Sequence, residues 1–182
     1  MADFRKKKQL YVFNVFFDVN RSGTIDSKDF ELAIEKICTL RGWSSGSPQY
    51  QKTHTSMMKI WDGLRQRADA NNDDQVSVDE WCAMWDDFAK SPDNPLDWQV
   101  QYMKFMFELE DASNDGSIDS NEFTSVCSCY GLAPAECKEA FTKMSSNGKE
   151  VNFDQFKTLW KQFFVSENPS DPGNFIFGKT SF

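Results

Sequence analysis

Apolar residues recur along the chain three and four positions apart, with no long run of strict alternation. Leu10, Phe13, Phe16 and Phe17 mark one face; Phe30, Ala33, Ile34 and Ile37 mark a second; Met57, Ile60, Trp61 and Leu64 mark a third. Trp81, Met84, Trp85 and Phe88 follow, then Met103, Met106, Phe107 and Leu109, then Phe123, Val126 and Tyr130. Cys137, Ala140, Phe141 and Met144 form the seventh face, and Phe156, Leu159, Trp160 and Phe163 the eighth. This spacing predicts eight amphipathic helices and no extended sheet. The breaks are equally regular. Arg41–Pro48 is a loop of turn formers, and Ser91–Pro95 stops a helix and marks a boundary between halves. Gly131 is placed to cap a helix and Pro134 to open the next. After Val165 the helical period stops, and Pro169, Pro172 and Gly173 break the chain into a tail. The expected organisation is a first helix-loop pair over 1–92, a second over 93–165, and a tail over 166–182 that docks on the body.

Three of the segments between helices are alike. They run Asp18–Asp29, Asp69–Glu80 and Asp111–Glu122, each twelve residues long. Each has a β-branched eighth residue (Ile25, Val76, Ile118) and is followed by an aromatic (Phe30, Trp81, Phe123). Calcium takes about six to eight oxygen ligands, and a twelve-residue loop supplies them from positions 1, 3, 5, 7, 9 and 12. Position 7 gives its backbone carbonyl, position 6 turns sharply at positive φ, and position 12 returns a carboxylate from the exiting helix.

The third loop fits best, with Asp111, Ser113, Asp115, the carbonyl of Ser117, Asp119 and Glu122 as ligands and Gly116 at the turn. The second offers Asp69, Asn71, Asp73, the carbonyl of Gln75, Ser77 through water, and Glu80, with Asp74 in place of the turning glycine. The first offers Asp18, Asn20, Ser22, the carbonyl of Thr24, Asp26 and Asp29, with Gly23 at the turn. Asp29 is one methylene shorter than Glu. It is expected to reach an ion with one oxygen or to draw the helix inward. Fewer oxygens suit Mg²⁺, so this loop is predicted to be a mixed Ca²⁺/Mg²⁺ site.

A fourth segment aligns through Val151 at the eighth place and Phe156 at the aromatic place. Its first position is then Met144, its sixth Lys149 and its last Gln155. No carboxylate closes it, so it is expected to hold no ion and to serve structurally. Val151 is predicted to bridge to Ile118, and Ile25 to Val76. The predicted fold is all-α, with four EF-hands in two compact paired lobes joined by short two-strand bridges.

Composition narrows the function classes. The net charge of −8 opposes binding to nucleic-acid phosphate. No stretch approaches the roughly 20 apolar residues of a membrane span. The start Met1–Lys8 lacks the apolar core of a signal peptide, and Ala2 cannot accept myristate. With His54 the only histidine, the five cysteines form no zinc site and are expected to be reduced thiols. The expectation is a monomeric cytoplasmic protein without a nucleophile–base pair, hence no enzyme.

The chain resembles invertebrate sarcoplasmic calcium-binding proteins, most closely their calexcitin branch. The resemblance runs end to end. It rests on Phe30-Glu-Leu-Ala-Ile-Glu-Lys-Ile37, Ile60-Trp-Asp-Gly-Leu-Arg65 and Gly173-Asn-Phe-Ile-Phe-Gly-Lys-Thr180. Three complete loops before an incomplete one, and the long gap between the first two, complete it. It implies four EF-hands and a calcium role in nerve or muscle.

Two functions compete. In the first, a calcium buffer or signal modulator fills its own groove with Phe175, Ile176, Phe177 and Phe182 of the tail. In the second, a calcium sensor opens a Met- and Phe-lined groove to a protein target such as a channel. A GTP-binding reading rests on Gly173–Thr180, which matches G-x-x-x-x-G-K-[ST] without the strand and helix that a phosphate loop needs. A kinship with coelenterazine-binding photoproteins lacks their cavity histidines; His54 reads as a surface helix residue.

Overall fold

The computed structural model describes residues 2–182, with side chains from Phe4 onward. The expectations that fall on Met1, and on the side chains of Ala2 and Asp3, lie outside the described residues. Among these, eight α-helices appear: α1 Ala2–Val12, α2 Ser27–Arg41, α3 Pro48–Ala68, α4 Val78–Lys90, α5 Asp97–Glu110, α6 Ser120–Cys129, α7 Pro134–Met144 and α8 Phe153–Val165. Two short strands, β1 Ser117–Asp119 and β2 Glu150–Asn152, pair antiparallel with Ile118 opposite Val151. Ile25 and Val76 form an isolated bridge, donating N–H to each other's carbonyl at 2.9 and 2.8 Å. Both expected bridges are therefore present, and the fold is that of four EF-hands. Among the described residues no helix is long and apolar enough to cross a membrane.

Local chemistry sets the helix ends. Ser47 accepts from the Tyr50 N–H and Pro48 opens α3. Gly42 ends α2 at φ 72° and Gly131 turns the chain at φ 91°, both left-handed and open to glycine without strain. One end is unexpected. Beyond Val12 the first helix widens into a π turn over Phe13–Phe17, where the Asp18 N–H reaches the Phe13 carbonyl at 2.7 Å. Such single wide turns are frequent at functional points of helices.

Leu10–Tyr102 forms one unit. Its core is aromatic. Trp81 is fully buried, with ring centroids of Phe17, Trp85, Phe13 and Trp98 at 4.7, 5.7, 6.0 and 6.2 Å. At Gly63 a Cβ would lie 2.6 Å from the Trp98 Cβ, so α3 and the first turn of α5 touch there without room for a side chain. Trp98 and Tyr102 both pack on Phe17, at 6.4 and 4.7 Å. That packing carries the start of α5 into this unit, so the division falls inside α5 and past the Ser91–Pro95 break.

Met103–Phe182, with the residues up to Gln9, forms the other unit. Phe107 packs on Phe153 and Phe156 at 5.0 and 5.4 Å, and Phe123 on Phe141 at 5.7 Å. The tail is part of this core. A 3-10 turn over Pro172–Phe175 delivers Phe175, Ile176 and Phe177 into it, all buried. The Phe177 ring lies 4.8 Å from Phe163, 5.4 Å from Trp160 and 6.1 Å from Phe164. At Gly173 a Cβ would come within 2.5 Å of the Leu159 carbonyl oxygen, so only glycine passes α8 there. Lys8, fully buried on α1, donates to the Ser166 carbonyl at 2.8 Å and to Asn174 Oδ1 at 2.7 Å. Its amine also faces the Phe4 and Phe163 rings at 4.8 and 5.2 Å. Burial lowers its pKa to about 8; Arg5 adds to that, and Asp171 and Glu167 oppose it.

Candidate metal centres

Three loops share one internal wiring. The first carboxylate accepts two consecutive N–H groups from positions 5 and 6. Asp18 takes those of Ser22 and Gly23 at 3.0 and 2.9 Å. Asp69 takes those of Asp73 and Asp74 at 3.2 and 2.8 Å. Asp111 takes those of Asp115 and Gly116 at 3.2 and 3.0 Å. The turn at position 6 is left-handed in all three, with φ 91° at Gly23, 60° at Asp74 and 89° at Gly116. Asp74 thus adopts the turn that its shape tolerates at some cost, and its carboxylate meets Arg65 at 3.3 Å.

Sequence reading missed a second left-handed residue in each loop. Arg21, Asn72 and Asn114, all at position 4, have φ 57°. Asparagine at two of the three places was the available signal, since it visits this region more readily than other side chains.

The ends of the loops do two jobs. Positions 9 and 12 form a reciprocal capping box at the start of the exiting helix. In the first loop the Asp26 N–H donates to Asp29 at 3.0 Å and the Asp29 N–H to Asp26 at 3.3 Å. Ser77 and Glu80 exchange the same bonds at 2.8 and 3.2 Å, and Asp119 and Glu122 at 3.0 and 2.8 Å. The other oxygen of each closing carboxylate reaches across the loop. Asp29 accepts from the Asn20 N–H at 3.0 Å, Glu80 from Ala70 at 3.2 Å and Glu122 from Ser113 at 2.9 Å. Asp29 therefore spans the same two positions as Glu122 with a shorter arm, and is 1% exposed. Burial pushes its carboxyl up from the ordinary range against the two N–H donors, with the Asp26 and Asp18 charges adding to the rise.

The remaining candidate groups lie in the same loops. Asn20 Oδ1 accepts from the Ser22 N–H at 3.1 Å, and the Ser22 hydroxyl donates to the Thr24 carbonyl at 3.0 Å. Asp73 accepts from the Asn71 amide at 3.2 Å and the Gln75 N–H at 3.0 Å. Asp115 accepts from the Ser117 N–H at 3.0 Å, and the Ser113 hydroxyl reaches Asp111 at 3.5 Å. Among the described residues no three His, Cys, Asp or Glu side chains converge as a ready-made metal cluster. The loops instead mix carboxylates with hydroxyl, amide and backbone oxygens. That all-oxygen set fits a hard dication such as Ca²⁺ or Mg²⁺ and lacks the sulfur and imidazole that zinc prefers.

The fourth segment differs in backbone and in chemistry. Its left-handed residues are Ser146 and Asn147, at φ 54° and 65°, the third and fourth places. Lys149, at the sixth place, has no such turn. Met144 ends α7 buried, with no side-chain oxygen to offer. The β pairing of Val151 survives, and so does the capping box, as Asn152 and Gln155 exchange bonds at 2.9 and 2.9 Å.

Two other expectations concern single residues. His54 is a half-buried residue of α3 stacked on Tyr50 at 6.4 Å. In Gly173–Thr180, the Gly173 N–H is taken by Gln162 at 2.7 Å and the Thr180 N–H by the Glu136 carboxylate at 3.0 Å. A carboxylate at that place repels phosphate. Sequence reading also passed over Glu110, directly before Asp111; its carboxyl is 2% exposed and burial holds it well above the ordinary range.

Comparison with known proteins agrees with this geometry. The family profile for the EF hand matches residues 15–32. Calexcitin-1 of Caenorhabditis elegans is 37% identical over 98% of this chain and 88% of its own length. Sarcoplasmic calcium-binding proteins I, III and IV of Branchiostoma lanceolatum are 31% identical, covering 98% of both chains. The solved structure of a sarcoplasmic calcium-binding protein from amphioxus superposes with a TM-score of 0.80, at 29% identity and 97% coverage of both chains. Identity at that level over nearly the whole length, on a fold with the same four hands, places the chain within the sarcoplasmic calcium-binding protein family, together with the calexcitins.

Proposed function

We propose that the chain binds three Ca²⁺ ions, one in each of the loops Asp18–Asp29, Asp69–Glu80 and Asp111–Glu122, through the side-chain and carbonyl oxygens named above. The observation that carries this reading is the common wiring of the three loops. Each has left-handed residues at positions 4 and 6, a first carboxylate gripping the turn, and a closing carboxylate spanning the loop. The names of the relatives support calcium as the ion. The first loop takes Ca²⁺ or Mg²⁺, because the short arm of Asp29 holds the closing oxygens close to the loop and favours a tighter shell.

The role that follows is a cytoplasmic calcium buffer or signal modulator in nerve or muscle, acting as a monomer. The tail supports it. Phe175, Ile176 and Phe177 already occupy the apolar space beside α7 and α8, where a target-binding sensor would leave room. Along the sequence the hand pairs are taken as 1–92 and 93–165, with 166–182 as an intramolecular plug, while the packing units exchange the residues up to Gln9 and the start of α5. Calorimetry with Ca²⁺, alone and in excess Mg²⁺, tests the reading. Three equivalents are expected, one of them competed by Mg²⁺. Fewer than two equivalents overturns it.

A further inference from the structure

The unit Leu10–Tyr102 holds a cavity of about 380 Å³ beside the second loop. Ligand pockets run from about 300 to 1,000 Å³, so it has room for a small organic molecule. Ala68, Ala83, Met84, Phe88 and Leu96 give it apolar walls. Met84 and Phe88 stand one turn apart on α4, and the thioether of Met84 adapts to irregular shapes. Ala70, Ala83 and Asn94 of the lining are exposed, so the cavity opens to solvent.

Two of its donors are unmatched. Gln99, in the first turn of α5, lines the cavity and is 2% exposed. Its Oε1 accepts from the Leu96 N–H at 2.9 Å, which fixes the orientation of the amide. The buried Nε2 has no hydrogen-bond partner among the described residues. A buried donor without an acceptor is rare in folded proteins. Arg67 also lines the cavity, is exposed, and has no ion-pair partner among the described residues. It lies one turn beyond Gly63 on the same face of α3, and Gly63 touches Trp98, the neighbour of Gln99. A guanidinium and a spare amide N–H therefore stand on the side where α3 meets α5.

The cavity also touches a candidate metal centre. Ala70 and Glu80 both line it, and the Ala70 N–H donates to Glu80 at 3.2 Å across the second loop. Its lining draws on α3 and α4, the entering and exiting helices of that hand. Two carboxylates belong to the lining. Asp87 is paired with Lys90 at 3.5 Å, and Glu80 takes the N–H groups of Ala70 and Ser77. On the reading that Asp69–Glu80 holds Ca²⁺, the ion offsets the Glu80 charge and makes the cavity more favourable to an anion.

We propose that this cavity binds a medium-chain aliphatic carboxylate, its chain among Met84, Phe88 and Leu96 and its head on Arg67 and the Gln99 amide, and that this ligand and Ca²⁺ in the second loop each strengthen the binding of the other. Guanidinium and amide N–H groups donate to a carboxylate, and the apolar walls take the chain out of water. The coupling runs equally in both directions, because two ligands on one protein are linked through one free energy. Only the coupling rests on the calcium reading of the second loop; the cavity and its donors do not.

The probe is sodium octanoate, titrated by calorimetry into the full-length protein with calcium and with chelator. Octanol carries the chain without the charge, and acetate the charge without the chain. The calcium form should bind one equivalent of octanoate, about five-fold tighter than the chelated form. Octanol should bind more weakly and acetate not at all. Arg67→Ala should weaken octanoate by at least about ten-fold and leave octanol unchanged. Ala83→Phe, which fills the cavity from an exposed position, should abolish octanoate binding with an unaltered circular dichroism spectrum. No octanoate uptake, uptake no tighter than that of octanol, or uptake that survives Ala83→Phe overturns the proposal. Equal octanoate affinity with and without calcium, in a protein that takes up calcium at the second loop, overturns the coupling. Octanoate binding in a protein that takes up no calcium supports the cavity and removes the calcium reading.

Discussion

The third and fourth hands lie in one unit, pair through β1 and β2, and start their exiting helices with the same reciprocal cap. They differ in what closes them. In the third hand the cap is Asp119 with Glu122, and the closing carboxylate also crosses the loop to Ser113. In the fourth it is Asn152 with Gln155, amides of the same shape without the charge. The helix start survives the exchange because its hydrogen bonds need an oxygen and not a charge. The ligand set does not survive it, because the exchange removes the closing carboxylate on which a dication site draws. In the fourth hand the tail takes over, packing Phe177 and Gly173 on α8.

The largest expected effect sharpens that contrast. Phe177→Ala should cost about 3–5 kcal/mol of unfolding free energy by opening a cavity among Trp160, Phe163 and Phe164. Calcium stoichiometry measured by calorimetry should stay unchanged if the fourth hand is held by the tail alone. Next, Glu122→Gln gives the third hand the closing residue of the fourth. Calcium affinity at that loop should fall at least ~100-fold, or about 3 kcal/mol. Helix content by circular dichroism should hold, because the amide keeps the cap. Asn152→Ala removes the cap of α8 and should cost about 1 kcal/mol in urea unfolding, with no effect on calcium.

A smaller effect comes from the lysine that pins the tail. The pKa of Lys8 is about 8 in the folded protein against 10.5 for the free side chain. Between those values the unfolded chain binds the proton more than the folded one does, so this group makes stability rise with pH through that window. The neutral amine keeps two N–H donors for Ser166 and Asn174. Unfolding measured from pH 8 upward should show a steeper rise in the unaltered protein than in Lys8→Met; equal slopes would remove Lys8 from the account. Finally, Gln155→Glu alone should add no calcium equivalent, because Met144 offers no side-chain oxygen and Lys149 has no left-handed turn. An added equivalent would break the contrast between the two hands.

Much of this was legible in the chain because EF-hand chemistry is local. Ligand residues, turn and β-branched bridge residue all fall within twelve positions, so Asp111–Glu122 could be read directly. The bridges Ile25–Val76 and Ile118–Val151 followed from the same register. What escaped depends on packing between distant segments or on backbone detail. The π turn at Phe13–Phe17 leaves the helical spacing of its aromatics almost unaltered. The unit boundary inside α5 is set by Trp98 and Tyr102 meeting Phe17, far off in sequence. The left-handed residue at position 4 is hidden at Arg21, whose side chain gives no hint of it.

Gly63 sits in the last third of α3, still inside the helix, where glycine weakens it by roughly 1 kcal/mol relative to alanine. Its bare Cα lets the backbone of α3 come up against Trp98 at the start of α5. One missing methyl group thereby fixes the distance of closest approach between two helices. It also orients the last part of α3, so a contact less than two turns before Asp69 bears on how the second loop leaves the helix.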